Sequence, residues 1–267
     1  MIRKPDPIER LTGTGETVMI PKTIHYCWFG GKPLPESTEK YIRTWKQFLP
    51  DYRIMEWNET NFDIRSAPDY VREAYEAKKY AFVSDYVRVQ KLLQYGGVYF
   101  DTDVEVVRPF EQYLEGHSMV MGFEGEQTLT TAFIACCEGH PFMEEFEKTY
   151  HTRHFLREDG SMDLTVINAG FSRQAGEWGI DLAKDAYQEA AHETAVFPAA
   201  YFSAFDIQNW HESPSPVTCT IHHMDASWVD KKGALHIAAI KGLQKILGYE
   251  RYDQVKGLLK KTNKRRS

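Results

Sequence analysis

Cysteine is scarce in this sequence, which has four cysteines among 267 residues and no C-x-x-C pair. Cys136 and Cys137 are neighbours in the chain and cannot easily bridge each other. We therefore expect four reduced, buried thiols, which is the usual state of cysteine in cytosolic proteins.

Long apolar runs are absent as well, and none approaches the roughly 20 residues that a membrane-spanning helix needs. Residues 1–17 alternate charge with Pro and Gly and lack the apolar core of a secretory signal. We therefore expect a cytoplasmic protein that is neither secreted nor membrane-spanning.

Several catalytic motifs are missing too. The sequence has no G-x-G-x-x-G and no G-x-x-x-x-G-K-[ST], so dinucleotide-binding and P-loop enzymes have no support. No serine or cysteine nucleophile motif is present either.

Charge is unevenly distributed along the chain. The net charge is −6, but the segment 231–267 holds 11 Lys and Arg against Glu250 and Asp253, a net +9, which leaves −15 for residues 1–230. This pattern argues against a nucleic-acid partner, because such proteins carry a basic face on the folded domain. Two interpretations of the tail stay open: a helix that covers the core followed by solvated residues, or a peripheral contact with the inner face of the plasma membrane.

Strands and helices alternate over the first hundred residues. Ser37 is a plausible N-cap for the first helix, and Gly96 supplies a left-handed stop for the third. Alternating strands and helices are typical of a largely parallel sheet, whose ligands bind at the carboxyl ends of the strands. The predicted elements are strands 23–29, 52–57, 97–100, 118–123, 131–136 and 218–223, and helices 37–48, 70–79, 81–95, 141–150 and 234–248.

Two carboxylates follow the apolar strand that ends at Phe100. Side chains alternate along a strand, so Asp101 and Asp103 are expected to project to the same side. Two such carboxylates repel each other unless a cation lies between them or one of them is protonated. Mg²⁺ and Mn²⁺ prefer oxygen ligands, so the pair predicts a site for a metal-bound diphosphate.

Two further pairs have a structural and a functional interpretation each. Asp85 and Arg88 are three apart on one helix and form either a surface ion pair or a contact with sugar and phosphate oxygens. His222 and His223 end the last predicted strand, and one of them is a candidate nitrogen ligand beside the two aspartates.

Four stretches of the sequence are distinctive in combination: residues 20–31 (IPKTIHYCWFGG), 56–58 (EWN), 81–88 (AFVSDYVR) and 95–103 (YGGVYFDTD). Together they resemble glycosyltransferase family 32, which includes bacterial capsular and exopolysaccharide sugar transferases and relatives of the yeast initiating mannosyltransferase. The resemblance implies an α/β fold of the GT-A type with a mostly parallel central sheet flanked by helices. It also implies a leader over 1–18, a transferase domain over 19–230, and an amphipathic helix with a basic tail over 231–267.

The resemblance implies a retaining transferase that moves a sugar from a UDP- or GDP-sugar to a glycan or lipid-linked acceptor, with Mn²⁺ or Mg²⁺ as cofactor, in polysaccharide biosynthesis. It implies that Asp103 is the direct metal ligand, with Asp101 beside it and also reaching the ribose or sugar, often through water. A late histidine would complete the metal shell, for which His222 fits best by strand register and His223 is the alternative. Asp85 and Arg88 would contact the donor. The other residues expected at the nucleotide are His25, Tyr26, Trp28, Ser84, Ser227 and Trp228. Acceptor contacts are expected near Asp163 and Asn168.

Two other functions stay open on the sequence alone. The run Asp101-Thr102-Asp103-Val104 is similar to the motif of haloacid-dehalogenase-type phosphatases, in which Asp101 would be the nucleophile and Asp103 the acid/base. The later lysine and acidic pair of such enzymes have no convincing position here. A non-catalytic protein that binds nucleotide sugars is the remaining alternative.

Overall fold

A computed structural model describes residues 19–125, 127–206, 211–224, 239–240, 242–248 and 251–252. The strands are β1 Thr23–Cys27, β2 Arg53–Trp57, β3 Gly97–Phe100, β4 Val104–Val106, β5 Met119–Phe123, β6 Leu129–Cys136, β7 Gln188–Ala190, β8 Thr194–Phe197, β9 Phe205–Asp206, β10 His211–Glu212 and β11 Thr220–His222. The helices are α1 Glu36–Phe48, α2 Asp69–Glu76, α3 Tyr80–Tyr95, α4 Pro141–Lys148, α5 Ile167–Glu177 and α6 Ala199–Phe202. Within these ranges, no helix is both long and apolar enough to cross a bilayer.

The central sheet has seven strands in the order β2-β1-β3-β6-β5-β8-β7. Strands β2, β1 and β3 are parallel, β6 runs antiparallel to both β3 and β5, β8 is parallel to β5, and β7 is antiparallel to β8. Five of the seven strands therefore point the same way. This confirms the predicted α/β class with a mostly parallel central sheet.

Helices cover both faces of the sheet, because successive side chains of each strand enter opposite cores. Tyr99 of β3 packs in one hydrophobic cluster with α2, α3, α4 and α5. Its neighbours Val98 and Phe100 pack in the other cluster with α1, β4 and α6. The sheet is thus buried on both sides, and its carboxyl edge is where polar side chains can emerge.

Two glycines connect α3 to β3 without a spacer. Gly96 has a φ of +61°, and a Cβ at this position would lie 2.6 Å from the backbone nitrogen of Glu138. Gly97 has a φ of +104°, and a Cβ there would lie 2.5 Å from the carbonyl oxygen of Thr23. Only glycine fits both positions, and the predicted left-handed stop at Gly96 is confirmed.

Some predicted boundaries are wrong. Helix α1 begins at Glu36 with Pro35 at its N-cap position, so Ser37 lies inside the helix. The predicted helix 141–150 ends at Lys148 and is followed by a short 3₁₀ turn, Thr149–Thr152. An antiparallel bridge then joins Leu156 and Met162. Of the predicted helix 234–248, residues 239–240 and 242–247 are helical, Gly248 is not helical, and residues 234–238 and 241 lie outside the described residues. The proposed leader over 1–18 lies outside them as well.

Candidate active site

Asp101 and Asp103 lie at the carboxyl end of β3, as predicted, but for a different local reason. The strand ends at Phe100, and residues 102–103 form a turn in which the Val104 nitrogen donates to the Asp101 carbonyl at 3.1 Å. The expectation that strand alternation places the two carboxylates on one side is therefore wrong. The turn brings them together instead and starts β4.

His222 reaches these aspartates through a second, two-stranded sheet. β11 pairs antiparallel with β4, and His222 lies directly opposite Val104, next to Asp103. The His222 Nε2 atom lies 3.3 Å from Asp103 Oδ1. A strand more than a hundred residues later in the sequence thus completes the cluster.

His223 points elsewhere, so the structure separates the two candidate histidines. Its Nε2 atom lies 2.8 Å from Glu105 Oε2, and its Nδ1 atom lies 2.9 Å from Glu212 Oε1. Its ring stacks on Tyr41 with 4.6 Å between centroids. The expectation of His223 as a ligand beside Asp101 and Asp103 is therefore corrected: His222 occupies that position.

Asp101, Asp103 and His222 can each offer one ligand atom, and these atoms lie within 4.8 Å of one another. Two carboxylates and one imidazole form a mixed oxygen and nitrogen set that suits Mn²⁺ and Mg²⁺. The residues at this edge therefore fit the divalent cation that the resemblance implies.

Arg88 connects the cluster to Asp85. Its Nη2 atom lies 2.8 Å from Asp85 Oδ1 and 3.2 Å from Asp101 Oδ1, and its Nη1 atom donates to the Thr131 carbonyl at 2.8 Å. Its guanidinium also lies over the Tyr99 ring, whose hydroxyl donates to Asp101 at 3.0 Å. The side chains of Arg88 and Asp85 are only 6% and 12% exposed, so the interpretation as a solvated surface pair is wrong.

Burial and neighbouring charges together raise the pKa values of Asp85, Asp101 and His222. Burial raises the pKa of Asp85 to about 6, although Arg88 opposes this shift. Burial also raises the pKa of Asp101, again against Arg88, and Asp103 adds to the increase. Burial lowers the pKa of His222, but Asp103 and Glu124 outweigh it, so the net pKa lies well above the ordinary histidine value. The cluster therefore favours a positive charge between the carboxylates.

The predicted nucleotide-binding residues of β1 lie in different environments. His25 is 1% exposed: its Nδ1 atom accepts from Trp57 Nε1 at 3.1 Å, and its Nε2 atom donates to the Gly96 carbonyl at 2.9 Å. The Tyr26 hydroxyl donates to Glu56 at 2.6 Å. Trp28 is partly exposed, and its Nε1 atom donates to the Lys32 carbonyl at 2.6 Å. Contacts of these residues with a nucleotide stay predictions.

The remaining predicted residues are either tied to the scaffold or outside the described chain. The Ser84 hydroxyl donates to the Tyr80 carbonyl within α3 at 3.1 Å. Asp163 is paired with Arg153 and Arg157 at 3.0 and 3.3 Å. Ser227 and Trp228 lie outside the described residues, and their roles stay predictions.

Glu124, which directly follows β5, was missed from the sequence. Its Oε1 atom lies 2.7 Å from His222 Nδ1, and its Oε2 atom accepts from the Asn168 side chain at 3.2 Å. No local motif marks this residue, since its partners are distant in the chain. An acidic residue directly after an apolar strand, in the manner of Asp101, was the available signal.

Residues 35–120 match the family described as the glycosyltransferase sugar-binding region containing a DXD motif. The match includes Asp85, Arg88, Asp101 and Asp103 and ends before Glu124. The resemblance to sugar transferases of the DXD type is thereby confirmed.

Two curated proteins are similar to this chain. The subversion of eukaryotic traffic protein A of Legionella pneumophila is 22% identical over 199 residues, which are 63% of this chain and 30% of that protein. The initiation-specific alpha-1,6-mannosyltransferase of Candida albicans is 27% identical over 147 residues, or 52% of this chain and 37% of that protein. The matched regions thus span about a third of the length of these relatives.

Solved structures of glycosyltransferases are similar at a greater distance. The PaToxG glycosyltransferase matches with a TM-score of 0.46 and 19% identity over 59% of this chain and 68% of that one. A glycosyltransferase involved in glycosylation of the major capsid of PBCV-1 matches with a TM-score of 0.43 and 7% identity over 83% of this chain and all of the other.

Proposed function

We propose, on the premise that residues 35–120 belong to the DXD-containing sugar-binding family of glycosyltransferases, that this protein is a retaining sugar transferase of the GT-A type. It moves a sugar from a nucleotide-diphosphate donor to a glycan or lipid-linked acceptor, in polysaccharide biosynthesis. The observation that carries this proposal is the cluster of Asp101, Asp103 and His222 at the carboxyl edge of the sheet.

Asp101, Asp103 and His222 would hold a Mn²⁺ or Mg²⁺ ion, which would offset the negative charge on the departing diphosphate. The protein itself brings the three side chains together by different routes. Asp101 and Asp103 flank the turn after β3, and β11 brings His222 across to them. The side chains of Asp101, Asp103 and His222 are 26%, 18% and 12% exposed, so the surrounding protein covers most of each.

Arg88 supports the same chemistry from the opposite side of Asp101. Its two terminal nitrogens are bonded to the protein, whereas its Nε atom is buried and has no hydrogen-bond acceptor among the described residues. The guanidinium places its positive charge 3.2 Å from Asp101, beside the proposed diphosphate site. Asp85, in turn, keeps the guanidinium in its position at 2.8 Å.

The transfer itself exchanges two bonds at the anomeric carbon. The bond from that carbon to the diphosphate oxygen breaks, and the acceptor oxygen bonds to the same face of the carbon. The acceptor proton passes to the leaving phosphate oxygen, so no separate protein base is required. This front-face exchange retains the anomeric configuration.

The acceptor has a plausible place beside the cluster. A cavity of about 790 Å³ borders Glu124 at the carboxyl ends of β5 and β8. Carboxylate, amide and hydroxyl groups line it together with Phe205, which is the mixture that binds sugar hydroxyls and one apolar sugar face. Its lining includes Gln127, Thr128, Asp185 and Asp206.

A membrane contact of the C-terminal segment would suit a lipid-linked acceptor and a cytoplasmic position at the inner face of the plasma membrane. Leu243 and Ile246, in the described helix 242–247, are 50% and 80% exposed. The surrounding segment 231–267 carries the net charge of +9. An exposed apolar helix face flanked by Lys and Arg is the pattern of peripheral contact with an anionic surface.

The decisive experiment measures release of nucleoside diphosphate from a small panel of UDP- and GDP-sugars, with and without Mn²⁺, by wild type and Asp103→Asn. Two unit charges 4 Å apart interact by about 4 kcal/mol at an effective dielectric near 20. Loss of this ligand is therefore expected to lower the metal-dependent rate on the order of a thousandfold.

Asp51→Asn is the matched control, because Asp51 is a surface carboxylate 75% exposed in a pair with Lys22. It should keep the wild-type rate. Undiminished Mn²⁺-dependent turnover by a folded Asp103→Asn protein would refute the proposal. So would rapid hydrolysis of a simple phosphate monoester with no activity toward any nucleotide sugar.

A further inference from the structure

Glu124 is a buried carboxylate with an unusual concentration of partners. Its side chain is 9% exposed. Its Oε1 atom accepts from the hydroxyls of Thr130 and Ser203, both at 3.0 Å, and from His222 Nδ1 at 2.7 Å. These donors come from β6, from the residue after α6 and from β11, so the carboxylate joins three separate parts of the fold.

The arrangement fixes which nitrogen of His222 faces the aspartates. A carboxylate can only accept, so the His222 Nδ1 atom carries the proton that it donates to Glu124. The Nε2 atom then lies 3.3 Å from Asp103 and turns toward the cluster. Metal-bound histidines commonly donate their other N–H group to a carboxylate, which sets the ring orientation and the tautomer.

The other partners of Glu124 explain why the carboxylate stays in place. Thr130, Ser203 and Asn168 are neutral donors, so they satisfy its lone pairs without cancelling its charge. Asn168 is in turn held by donating to the Leu129 carbonyl at 3.0 Å and accepting from Thr131 at 3.1 Å. Glu124 is therefore rigidly supported on the side away from the histidine.

We propose that Glu124 is a positioning residue, which holds His222 by its Nδ1 atom so that its Nε2 atom serves as the third ligand of a divalent cation. This inference rests on the proposed function only in requiring a cation at Asp101, Asp103 and His222. Sugar transfer itself is not part of it.

The test is the affinity of the 267-residue chain for Mn²⁺ alone, measured from the electron paramagnetic resonance signal of free Mn²⁺ without any nucleotide. Glu124→Ala should weaken Mn²⁺ binding by about 10- to 100-fold, the usual effect of losing such an outer partner. Glu124→Gln should lose less, because its amide oxygen can still accept from Nδ1. His222→Ala provides the loss expected when the ligand itself is removed.

Two control variants separate positioning from general damage to the fold. Glu147→Ala removes a comparable carboxylate, 14% exposed, which accepts from Tyr86 at 2.9 Å and lies 3.0 Å from His151. Ser203→Ala removes a neutral donor to Glu124 and leaves the histidine contact in place. Both should be less stable in urea than wild type and should bind Mn²⁺ within about threefold of the wild-type affinity.

A folded Glu124→Ala protein that binds Mn²⁺ as tightly as wild type would overturn the proposal. If that variant does not fold, long-range ¹H–¹⁵N spectra of the Mg²⁺-loaded wild type decide, because a proton on Nε2 of His222 would equally overturn it. Wild type that binds Mn²⁺ no better than Asp103→Asn would overturn it as well. Tight, Glu124-dependent Mn²⁺ binding without any sugar transfer would instead refute only the proposed function.

Discussion

The pair of Arg88 and Asp85 shows that burial, and not sequence spacing, distinguishes a surface ion pair from a buried one. In the sequence, Asp85 and Arg88 are three apart on a helix, a spacing shared by many surface ion pairs of small energetic value. The structure buries this pair because α3 packs under the sheet, beneath Tyr99 and Asp101. Spacing alone could not distinguish the two cases, since it carries no information about which helix face is covered.

Removing the guanidinium should therefore be far more costly than breaking a surface pair. Arg88→Gln leaves the buried Asp85 and the partly buried Asp101 without their cation. We expect the free energy of unfolding at pH 7, measured in urea, to fall by about 3–5 kcal/mol.

The double variant Arg88→Gln/Asp85→Asn tests the cause of that loss. If an uncompensated buried charge is responsible, replacing Asp85 by a neutral amide should restore part of the stability. Arg72→Gln is the control, since Arg72 and its partner Asp69 are 43% and 48% exposed. A loss for Arg88→Gln as small as that of Arg72→Gln would contradict the buried network.

His25 is a second residue whose environment differs from what the sequence suggested. Its position in an aromatic strand of the resembling family implied a place at the nucleoside. In the structure both ring nitrogens are bonded to the scaffold, and burial lowers its pKa to about 4. A ring held in this way connects β1 to the Gly96 turn, which a motif cannot reveal because the motif does not show the direction of the side chain.

At the scale of elements, the first residues of α4 depend on a neutral histidine. The Nδ1 atom of His140, at the N-cap position, accepts from the Phe142 nitrogen at 3.2 Å. Its Nε2 atom lies 3.1 Å from the Ser118 hydroxyl, just before β5. A proton on Nδ1 would replace the cap bond with two opposed donors.

This histidine should make stability depend on pH. Burial lowers the pKa of His140 from 6.5 to about 4. The unfolded chain binds a proton below about pH 6.5 that the folded chain excludes until about pH 4, so its contribution is present above pH 6.5 and is lost as the pH falls. That loss is about 3 kcal/mol, on the scale of 1.36 kcal/mol per pKa unit.

Urea unfolding of wild type and His140→Gln at several pH values between 7.5 and 4 measures this contribution to the free energy of unfolding. The stability advantage of wild type over the variant should shrink by about 3 kcal/mol across that range. His25 titrates in both proteins and therefore cancels in the difference. A constant gap at all pH values would show that His140 is not held neutral.

A strong apolar pattern made several elements predictable, but not every buried element was found. Strand β3 was predicted with its observed bounds, and α3 within one residue. Both contain regularly placed apolar residues, among them Val83, Val87 and Val98. Helix α5 and strands β7 and β8 were missed. β7, Gln188–Ala190, is three residues long and contains no fully buried residue, and β8, Thr194–Phe197, has only four residues, although all of them are buried.

The candidate site was predictable only in its local part. Asp101 and Asp103 are close in the chain, so proximity to each other followed from the sequence. His222 contacts them because β11 pairs with β4, a short strand that no sequence pattern predicted. Predicting Glu124 at the site would have required two long-range contacts, one between the end of β5 and β11 and one between β11 and Asp103. This explains why it was missed.

At the scale of the whole molecule, charge separates the chain into two regions. Residues 1–230 carry −15 and residues 231–267 carry +9. A net negative charge is repelled by an anionic membrane, so we expect a membrane contact, if the protein makes one, to involve the basic segment. The described helix 242–247 adds Leu243, Ile246 and Leu247 as exposed apolar side chains, while Gln244 is buried.

Co-sedimentation with vesicles tests whether this segment contacts a membrane. The full chain should pellet with vesicles that contain about one-third phosphatidylserine and stay in solution with pure phosphatidylcholine, since each Lys or Arg near an anionic surface contributes about 1 kcal/mol. Leu243→Ser/Ile246→Ser should reduce pelleting by removing the apolar part of the contact. Leu164→Ser/Val166→Ser is the matched control, because these side chains are 55% and 44% exposed elsewhere on the surface.

Raising the salt from about 0.1 to 1 M shortens the screening length from about 10 to 3 Å and should release the protein. Negligible pelleting of wild type with anionic vesicles at low salt would leave the segment as a solvated tail.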